Sequence, residues 1–402
     1  MIYLELPKNL RVVVNQAHQI AKNIFRPISQ KYDEAEHDYP KELDMLAALM
    51  DGVNAGGGRE DGAGIAALKQ ERGSDEVNNG ANMATCLGLA ELCWGDVGLA
   101  LSIPRQGLGN AAITAVANAE QKKRFEGVWA AMAITEPGAG SDSANIRTTA
   151  RLDGDEWVLN GEKIYVTAGS RADVVVVWAT LDRNLGRAAI KSFVVPHGTP
   201  GMEVGRLDRK LGIRASDTAS ITLTDCRIPK GNLLGTEDVD PGKGFGGVMQ
   251  TFDNTRPIVA GMAVGVARAA LDHTQELLSN EGVEVRYRGS IHSKSAVEAE
   301  LIRMEAEWEA GRLLMLKASW MADNGIPNSM EASMSKAKAA RVANEITLRC
   351  VELCGGEGYS QRALLEKWAR DSKILDIFEG TQQIQLLIIA RRLLGKRSAE
   401  LR

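Results

Sequence analysis

The sequence predicts a multidomain α+β protein with an N-terminal helical domain (residues 1–130), a middle antiparallel β-barrel or sandwich (131–240) and a C-terminal four-helix bundle (241–402). Two observations support this prediction. Apolar residues recur every three or four positions in the first and last parts, which is typical of amphipathic helices, whereas the middle part has the period of two that is typical of strands. The chain of 402 residues is also long enough for several domains.

In the N-terminal part, the helical period is clear in RVVVNQAHQIAKNIF and again in NMATCLGLAELCW. Glycines interrupt the pattern between these two stretches. The segment from Asp51 to Asn82 therefore predicts a long loop, which could cover a pocket.

In the middle part, short β-rich runs such as EWVLNG, KIYVT, DVVVVWAT and KSFVVP are separated by turn residues. Long amphipathic helices follow, from RPIVAGMAVGVARAALDHTQELL to TQQIQLLIIARRLLG. Between the two parts, GKGFGG at residues 242–247 superficially resembles a dinucleotide-binding loop. No buried strand precedes it, so a hinge into the helical domain fits better.

The composition excludes several classes of function. A net charge of -4 without a basic patch gives no electrostatic attraction to nucleic acid or to anionic membranes. The first residues lack the pattern of a signal peptide and no apolar run approaches about 18 residues, so we expect a soluble, cytoplasmic chain. Five cysteines without CxxC spacing and five scattered histidines predict neither disulfides nor a metal site.

Two stretches of the middle part carry polar groups suited to a ligand. In AMAITEPGAGSD, a strand breaks into a glycine-rich turn with Thr135, Ser141 and free backbone amides, which can bind a polar ligand. In KIYVTAG, strand alternation places Tyr165 and Thr167 on one face, where they suit a flat heterocycle. A plain strand-to-loop transition and an exposed cross-strand pair remain the respective alternatives.

A third stretch, ILDIFEGTQQIQLLI, holds the carboxylate Glu379 between an aromatic residue and a glycine. In a dry pocket, burial would raise its pKa toward the range in which a carboxylate acts as a general base. The alternative is an acid that only favours the positive end of a helix beginning near Thr381.

Together, TEPGAGSD, YVT and EGTQQIQ resemble the acyl-CoA dehydrogenase family, and RKLGIRASDTASITLTDCRIPKGNLLG, FDNTRPIVAG and CGGEGY extend the resemblance over nearly the whole chain. The resemblance implies FAD between the middle and C-terminal domains. Tyr165 stands where a tryptophan is frequent in the family, which keeps a flat ring. The residues implied to contact the cofactor are Met132, Ile134, Thr135, Ser141, Tyr165, Val166, Thr167, Gly356, Thr381 and Gln383.

The resemblance also implies a reaction. Glu379 takes the α-proton of an acyl-CoA thioester while the β-hydride passes to flavin N5, giving a trans-2-enoyl-CoA, and the N–H of Glu379 helps to stabilise the enolate-like charge. Ser141, Asp253 and Arg256 are implied to contact the substrate or to support the catalytic loop, although Arg256 could be an ordinary ion pair at a domain interface. Some relatives carry the base immediately before this arginine. This chain has Thr255 there, so that position holds no carboxylate.

The half-site that a tetrameric family member lends to its neighbour's FAD matches poorly. The expected arginine, aromatic and glutamine positions hold Val285, Arg288 and Ala296, and Glu352 replaces a glutamine. We hypothesise that the chain pairs with a different, related chain that lends the missing half. The alternative is that Arg286 or Arg288 substitutes after a small shift in register, which would permit a homotetramer.

The implied physiological role is fatty acid β-oxidation, with electrons passed to an electron-transfer flavoprotein. A flavin oxidase or monooxygenase on the same scaffold is an alternative, although Glu379 at the base position argues against it. A non-catalytic partner subunit or acyl-CoA binding module is another, although loss of the base would then be expected. The sequence does not determine whether the acyl group is short, long, branched or ring-bearing.

Overall fold

The computed structural model describes residues 8–48, 79–105, 107–239, 246–396 and 400. The predicted glycine-rich loop at residues 51–82 lies almost entirely outside these ranges, as do residues 242–245 of the GKGFGG stretch. The N-terminal helices, bounded as follows, are α1 (Arg11–Ile20), α2 (Arg26–Glu34), α3 (Ala81–Gly95), α4 (Val97–Ala100), α5 (Leu108–Val116) and α6 (Ala119–Arg124).

A π-helical turn, Ala21–Phe25, joins α1 to α2, so the two form one continuous helix. This turn packs closely on α3, because a Cβ added at Gly95 would come within 2.9 Å of Ala21. The guanidinium of Arg26 lies over the rings of Trp94 and Trp368, at 3.7 and 4.4 Å from their centroids. The first helices are therefore fixed to both the rest of the N-terminal part and the C-terminal part.

The middle part is a curled seven-stranded sheet, which confirms the predicted β-domain with one difference. Its strands are β1 (Ala130–Ala133), β2 (Thr149–Asp153), β3 (Glu156–Thr167), β4 (Val174–Thr180), β5 (Ile190–Pro196), β6 (Met202–Leu207) and β7 (Thr218–Pro229). They pair in the order β1-β4-β2-β3-β7-β6, with β5 paired to β4. The difference is that the sheet is mixed, because β4 runs parallel to β1 and to β2.

In its described residues, the C-terminal part contains the four predicted bundle helices and two further ones. The longer of these two, Leu365–Leu375, is absent from the sequence prediction, yet Leu365, Trp368 and Leu375 are fully buried in the bundle. In order, the helices are α7 (Gly246–Asn280), α8 (Ala296–Asp323), α9 (Ser329–Leu353), α10 (Gly355–Tyr359), α11 (Leu365–Leu375) and α12 (Gln382–Leu394). Within the described ranges, none of these or the other helices is both long and apolar enough to cross a bilayer.

The helices of the N-terminal and C-terminal parts share one apolar core, whereas the sheet has one cluster on each face. One of these clusters also includes Ala112 and Ile113 of α5. Close helix contacts depend on small residues. A Cβ at Gly265 of α7 would lie only 2.1 Å from the carbonyl oxygen of Ala90 in α3. Burial of this shared core holds the two helical parts together.

A buried lysine joins all three parts. Lys367 of α11 binds Asp96 at 2.7 Å and Asp371 at 2.5 Å, and all three side chains are almost fully buried. Asp371 accepts a hydrogen bond from the backbone N–H of Ile213 in the middle part, at 2.5 Å. Asp96, in turn, accepts one from the hydroxyl of Ser29 in α2. Each charge is therefore both paired and hydrogen-bonded, as a buried ion requires.

Candidate active site

The chain makes a left-handed turn between α11 and α12, at Glu379 (φ 56°) and Gly380 (φ 89°). Two consecutive residues of this kind are costly for side chains other than glycine. A Cβ at Gly380 would also come within 2.6 Å of the Gln385 amide nitrogen. As the sequence predicts, α12 then begins after Thr381, whose side chain accepts a hydrogen bond from the N–H of Ile384. The turn directs Glu379 into a cavity.

The surroundings of the Glu379 carboxylate have opposing effects on its pKa. Burial raises its pKa, while a hydrogen bond from the Thr255 hydroxyl to Oε2, at 2.5 Å, and the charges of Arg256 and Lys336 lower it. Burial is the larger influence, so the pKa lies above its ordinary value. A carboxylate of this kind is a stronger base than one in water, which suits proton abstraction.

The backbone of the turn is held from two sides. The buried side-chain amide of Gln385 donates to the carbonyl oxygens of Glu379 and Gly380, at 3.0 and 3.1 Å. The buried ammonium of Lys336, on α9, donates to the Gly380 carbonyl oxygen at 2.8 Å. Sequence analysis did not identify Lys336, and it treated Gln385 only as part of the EGTQQIQ motif.

The cavity has a volume of about 1610 Å³ and is lined by residues of all three parts. Near Glu379 its wall is formed by Thr255, Arg256, Ile258 and Val259 of α7, and it extends past Gly88 of α3. Among its described lining residues, seven are basic and three are acidic. The arrangement offers apolar space for an acyl-sized group together with positive charge for phosphates.

A second part of the cavity lining comes from the glycine-rich turn after β1 and from the end of β3. Lys163, fully buried, binds Glu136 at 2.7 Å, and Glu136 also accepts hydrogen bonds from the N–H and hydroxyl of Thr148. Burial alone would raise the pKa of Glu136, but these hydrogen bonds outweigh it and hold the pKa below its ordinary value. The N–H of Ile164 donates to the Thr135 carbonyl oxygen at 2.9 Å. These contacts fix the turn to β3.

Most of the predicted ligand-contacting residues lie on this wall. Tyr165 is 65% exposed and has φ 58°, beside a register shift of β3 between Lys163 and Val166, so simple strand alternation does not describe its position. Tyr165 and Thr167 nevertheless face the same cavity. The predicted residues that line it are Met132, Ile134, Thr135, Ser141, Tyr165, Thr167, Arg256 and Glu379.

Four of the other predicted residues are not among those that line the cavity. The side chain of Val166 is buried in the core of the sheet, and Thr381 caps α12. Gly356 and Gln383 are exposed to solvent, away from the cavity wall. Asp253 belongs to α7, but its side chain is not among those that the structure describes. The roles of these five residues stay predictions.

The region that was predicted to serve a neighbouring subunit is engaged within its own chain. The guanidinium of Arg286 binds both carboxylate oxygens of Glu298 at 2.7 Å and the Ser293 carbonyl oxygen at 2.9 Å. Glu298 closes a capping box at the start of α8. Exposed Glu352 pairs with Arg349, one turn earlier on α9. Arg286 is therefore committed to the first turn of α8.

Comparison with known proteins agrees with this geometry. Residues 131–226 match the acyl-CoA dehydrogenase middle domain and residues 242–394 match the acyl-CoA dehydrogenase C-terminal domain. The chain is 34% identical to the mitochondrial short-chain specific acyl-CoA dehydrogenase of Bos taurus over 401 residues, which covers 97% of this chain and 91% of the relative.

Solved structures give the same result. A chain from a structure described as the electron transferring flavoprotein of Acidaminococcus fermentans superposes with a TM-score of 0.81 and 30% identity, over 98% of this chain and 100% of that one. A glutaryl-CoA dehydrogenase from Mycobacterium smegmatis in complex with FADH2 superposes with a TM-score of 0.79 and 26% identity, over 97% and 96%. The chain therefore belongs to the acyl-CoA dehydrogenase family of FAD-dependent oxidoreductases.

Proposed function

We propose that this chain oxidises an acyl-CoA thioester to the trans-2-enoyl-CoA, with Glu379 as the base that removes the α-proton. The observation that carries the proposal is the position of Glu379, a carboxylate of raised pKa that faces a cavity lined by all three parts of the chain. The N–H of Glu379 supplies a hydrogen bond to the thioester oxygen as negative charge develops there. Such preorganised donors stabilise an enolate-like charge by several kcal/mol.

The part of the lining formed by the glycine-rich turn and the end of β3 fits FAD. At Gly138 and Gly140, no atom lies within 4 Å of where a Cβ would stand, so the backbone of this turn is open to a ligand. The hydroxyl groups of Thr135, Ser141 and Thr167 and the ring of Tyr165 line the same wall. FAD, when bound there, supplies the acceptor for the β-hydride. The backbone and hydroxyl groups of the glycine turn would bind polar groups of the cofactor, and the ring of Tyr165 would give it an aromatic contact.

The remaining lining residues suit the rest of the substrate. Ile258, Val259 and Met262 of α7 give an apolar surface next to Glu379 for the acyl chain. The excess of basic side chains around the cavity suits the phosphate groups of coenzyme A. We assign the acceptor of the electrons to an electron-transfer flavoprotein, and the match to a chain from the structure described as such a protein supports this assignment. A cytoplasmic location stays a prediction.

A flavin-bleaching assay tests the proposal. The purified chain is mixed anaerobically with acyl-CoA thioesters of increasing size, including branched and ring-bearing ones, and the flavin absorbance near the visible maximum is followed. We expect bleaching by at least one thioester, slow recovery in air and rapid recovery with an electron-transfer flavoprotein. Rapid recovery in air alone would favour an oxidase, and no bleaching by any thioester would contradict the proposal.

We also propose that the chain assembles with a related but different chain. The support comes from Arg286, which is bound to Glu298 and Ser293 of its own chain, and from Glu352, a carboxylate where a neighbour's phosphate would need a neutral donor. The test is expression with and without candidate partner chains, followed by flavin content and mass in solution. A homotetramer with one FAD per subunit, formed by this chain alone, would refute the proposal.

A further inference from the structure

Lys336 is a buried cation outside the residues that the family resemblance assigns. Its side chain is fully buried on α9, which packs against both α11 and α12, the helices that flank the Glu379 turn. Burying an ammonium is expensive, so a lysine at such a place needs a compensating interaction. The desolvation is strong enough to lower its pKa to about 8, even though nearby carboxylates raise it.

The groups that compensate the charge of Lys336 lie in the segment between α11 and α12 that carries Glu379. Its ammonium donates to the Gly380 carbonyl oxygen at 2.8 Å, and the carboxylates of Asp376 and Glu379 are close enough to interact with its charge. Arg256 of α7 is the second cation near Glu379. The two cations approach from different helices, whereas Asp376 adds negative charge from the turn itself.

Two buried donors converge on one carbonyl group. Lys336 from α9 and Gln385 from α12 both bind the oxygen of Gly380, and Gln385 also binds that of Glu379. These carbonyl groups belong to the two residues with left-handed backbone, which is a conformation that the surrounding structure must impose. Holding the carbonyl oxygens fixes the peptide planes on both sides of Gly380. The first of these planes directly follows Glu379, so the backbone from which its side chain extends is held on that side.

We propose that Lys336 is a positioning residue for the base: its ammonium holds the Glu379–Gly380 turn in its left-handed form and so aims the carboxylate into the cavity. The inference rests on the proposed role of Glu379. It assigns to Lys336 two separable effects, one on the backbone of the turn and one on the charge of the carboxylate. The positive charge favours the ionised, reactive form of Glu379, because an opposite charge within a few ångströms stabilises it.

The first test does not depend on turnover. Hydrogen–deuterium exchange of the peptide covering residues 376–385 is compared between the FAD-loaded parent and Lys336→Met, which removes the charge and the donor but keeps an unbranched side chain. Lys338→Met is the matched control, because Lys338 lies on the same helix and binds Glu307 instead. We expect exchange about tenfold faster in Lys336→Met, since a lost buried hydrogen bond to a charged group allows such opening, and no change in Lys338→Met.

The second test is the pH profile of kcat and KM with a thioester that bleaches the parent's flavin. We expect Lys336→Met to move the acid limb of kcat to higher pH, so that kcat near pH 6 falls about tenfold for every pH unit by which the limb moves, while KM changes less than threefold. Unchanged exchange together with an unchanged acid limb would overturn the proposal. If Lys336→Met does not retain FAD, Lys336→Arg is tested in its place, because arginine keeps both the positive charge and a hydrogen-bond donor. Lys336→Arg must then show the parent's hydrogen–deuterium exchange and the parent's acid limb of kcat.

The two tests separate this inference from the proposed function. If no thioester bleaches the flavin of the parent, the proposed reaction is wrong, whatever the exchange data show. If the parent reacts and Lys336→Met matches it in exchange and in pH profile, only the role of Lys336 is wrong.

Discussion

Thr255 donates a hydrogen bond of 2.5 Å from its hydroxyl to the carboxylate of Glu379. Thr255 is almost fully buried and belongs to α7, whereas Glu379 lies on the turn between α11 and α12. In sequence, Thr255 marked only a position where some family members carry the base and this chain does not. In the structure, the residue at this position contacts the proposed base, Glu379, and a donor facing a carboxylate favours its ionised form.

Replacing Thr255 by valine should therefore raise the pKa of Glu379 further. The expected result is an acid limb of kcat at higher pH, with the rate on the alkaline plateau changed much less, since the carboxylate itself remains. The measurement is kcat against pH with a reactive thioester. Thr255→Ser keeps the hydroxyl and is expected to retain the parent profile; a profile that moves equally in both variants would contradict the explanation.

Replacing Glu379 by glutamine should remove the base and keep the shape of the side chain. Loss of a general base typically costs a factor of about 10² to 10⁴, so flavin bleaching by acyl-CoA should slow by that order. Flavin content is expected to stay at the parent level. Glu120→Gln, at an exposed site on α6, is the control and should react normally. Full turnover in Glu379→Gln would rule out Glu379 as the base.

The same variant should change how stability depends on pH. Because the pKa of Glu379 in the folded chain lies above its ordinary value of 4.5, the folded state binds this proton more tightly than the unfolded state. The stabilisation that comes from the proton is present below pH 4.5 and is lost as the pH rises through the folded pKa. Glu379→Gln should resist urea better than the parent at about pH 8, and the difference should shrink toward about pH 4. A difference independent of pH would contradict this reasoning.

The buried pair of Glu136 and Lys163 should be sensitive to the loss of one partner. Glu136→Gln leaves the ammonium of Lys163 without its counter-charge, which typically costs about 3 to 5 kcal/mol of unfolding free energy. Adding Lys163→Met should recover part of that loss. Urea unfolding of the single and double variants measures both. Glu237→Gln breaks an exposed pair with Lys230 and should cost less than about 1 kcal/mol.

Arg286→Ala tests whether this arginine serves a neighbouring subunit. Because Arg286 is bound to Glu298 at the start of α8, its removal should loosen that helix end and leave the flavin content of the assembled protein unchanged. The measurement is flavin per chain after purification with the partner chain. Arg288→Ala is the parallel variant. A fall in flavin content in either one would show that the region completes a neighbour's site after all.

The periodicity of the sequence predicted the order of helical, β and helical parts because local hydrophobic pattern is set by the face that each element buries. It could not predict that β1 and β4 run parallel. Pairing between strands that lie far apart in the sequence depends on the path of the chain rather than on local pattern. The helix Leu365–Leu375 was missed although its apolar residues recur at helical spacing, because its 11 residues are few beside the long helices on which the prediction was based.

The candidate site, too, could be predicted from the sequence only in part. Glu379, Thr135 and Tyr165 lie in motifs that could be found in the sequence, and all three line the cavity. Lys336 could not be found, because a lysine in a long amphipathic helix normally lies on a solvated face. Only the packing of α9 against α12 reveals that this lysine is buried and which carbonyl group it binds.

The ion cluster around Lys367 has a consequence for how the chain comes apart. Its members Ser29, Asp96, Ile213 and Asp371 belong to the three parts of the molecule, so detaching any one part removes a partner from a buried charged group. Losing the C-terminal part leaves Asp96 without Lys367, losing the N-terminal part takes Asp96 from Lys367, and losing the middle part takes a hydrogen bond from Asp371. Truncated fragments should therefore be poor folding units. The intact chain should melt in a single cooperative transition, and its apparent midpoint should report all three parts together.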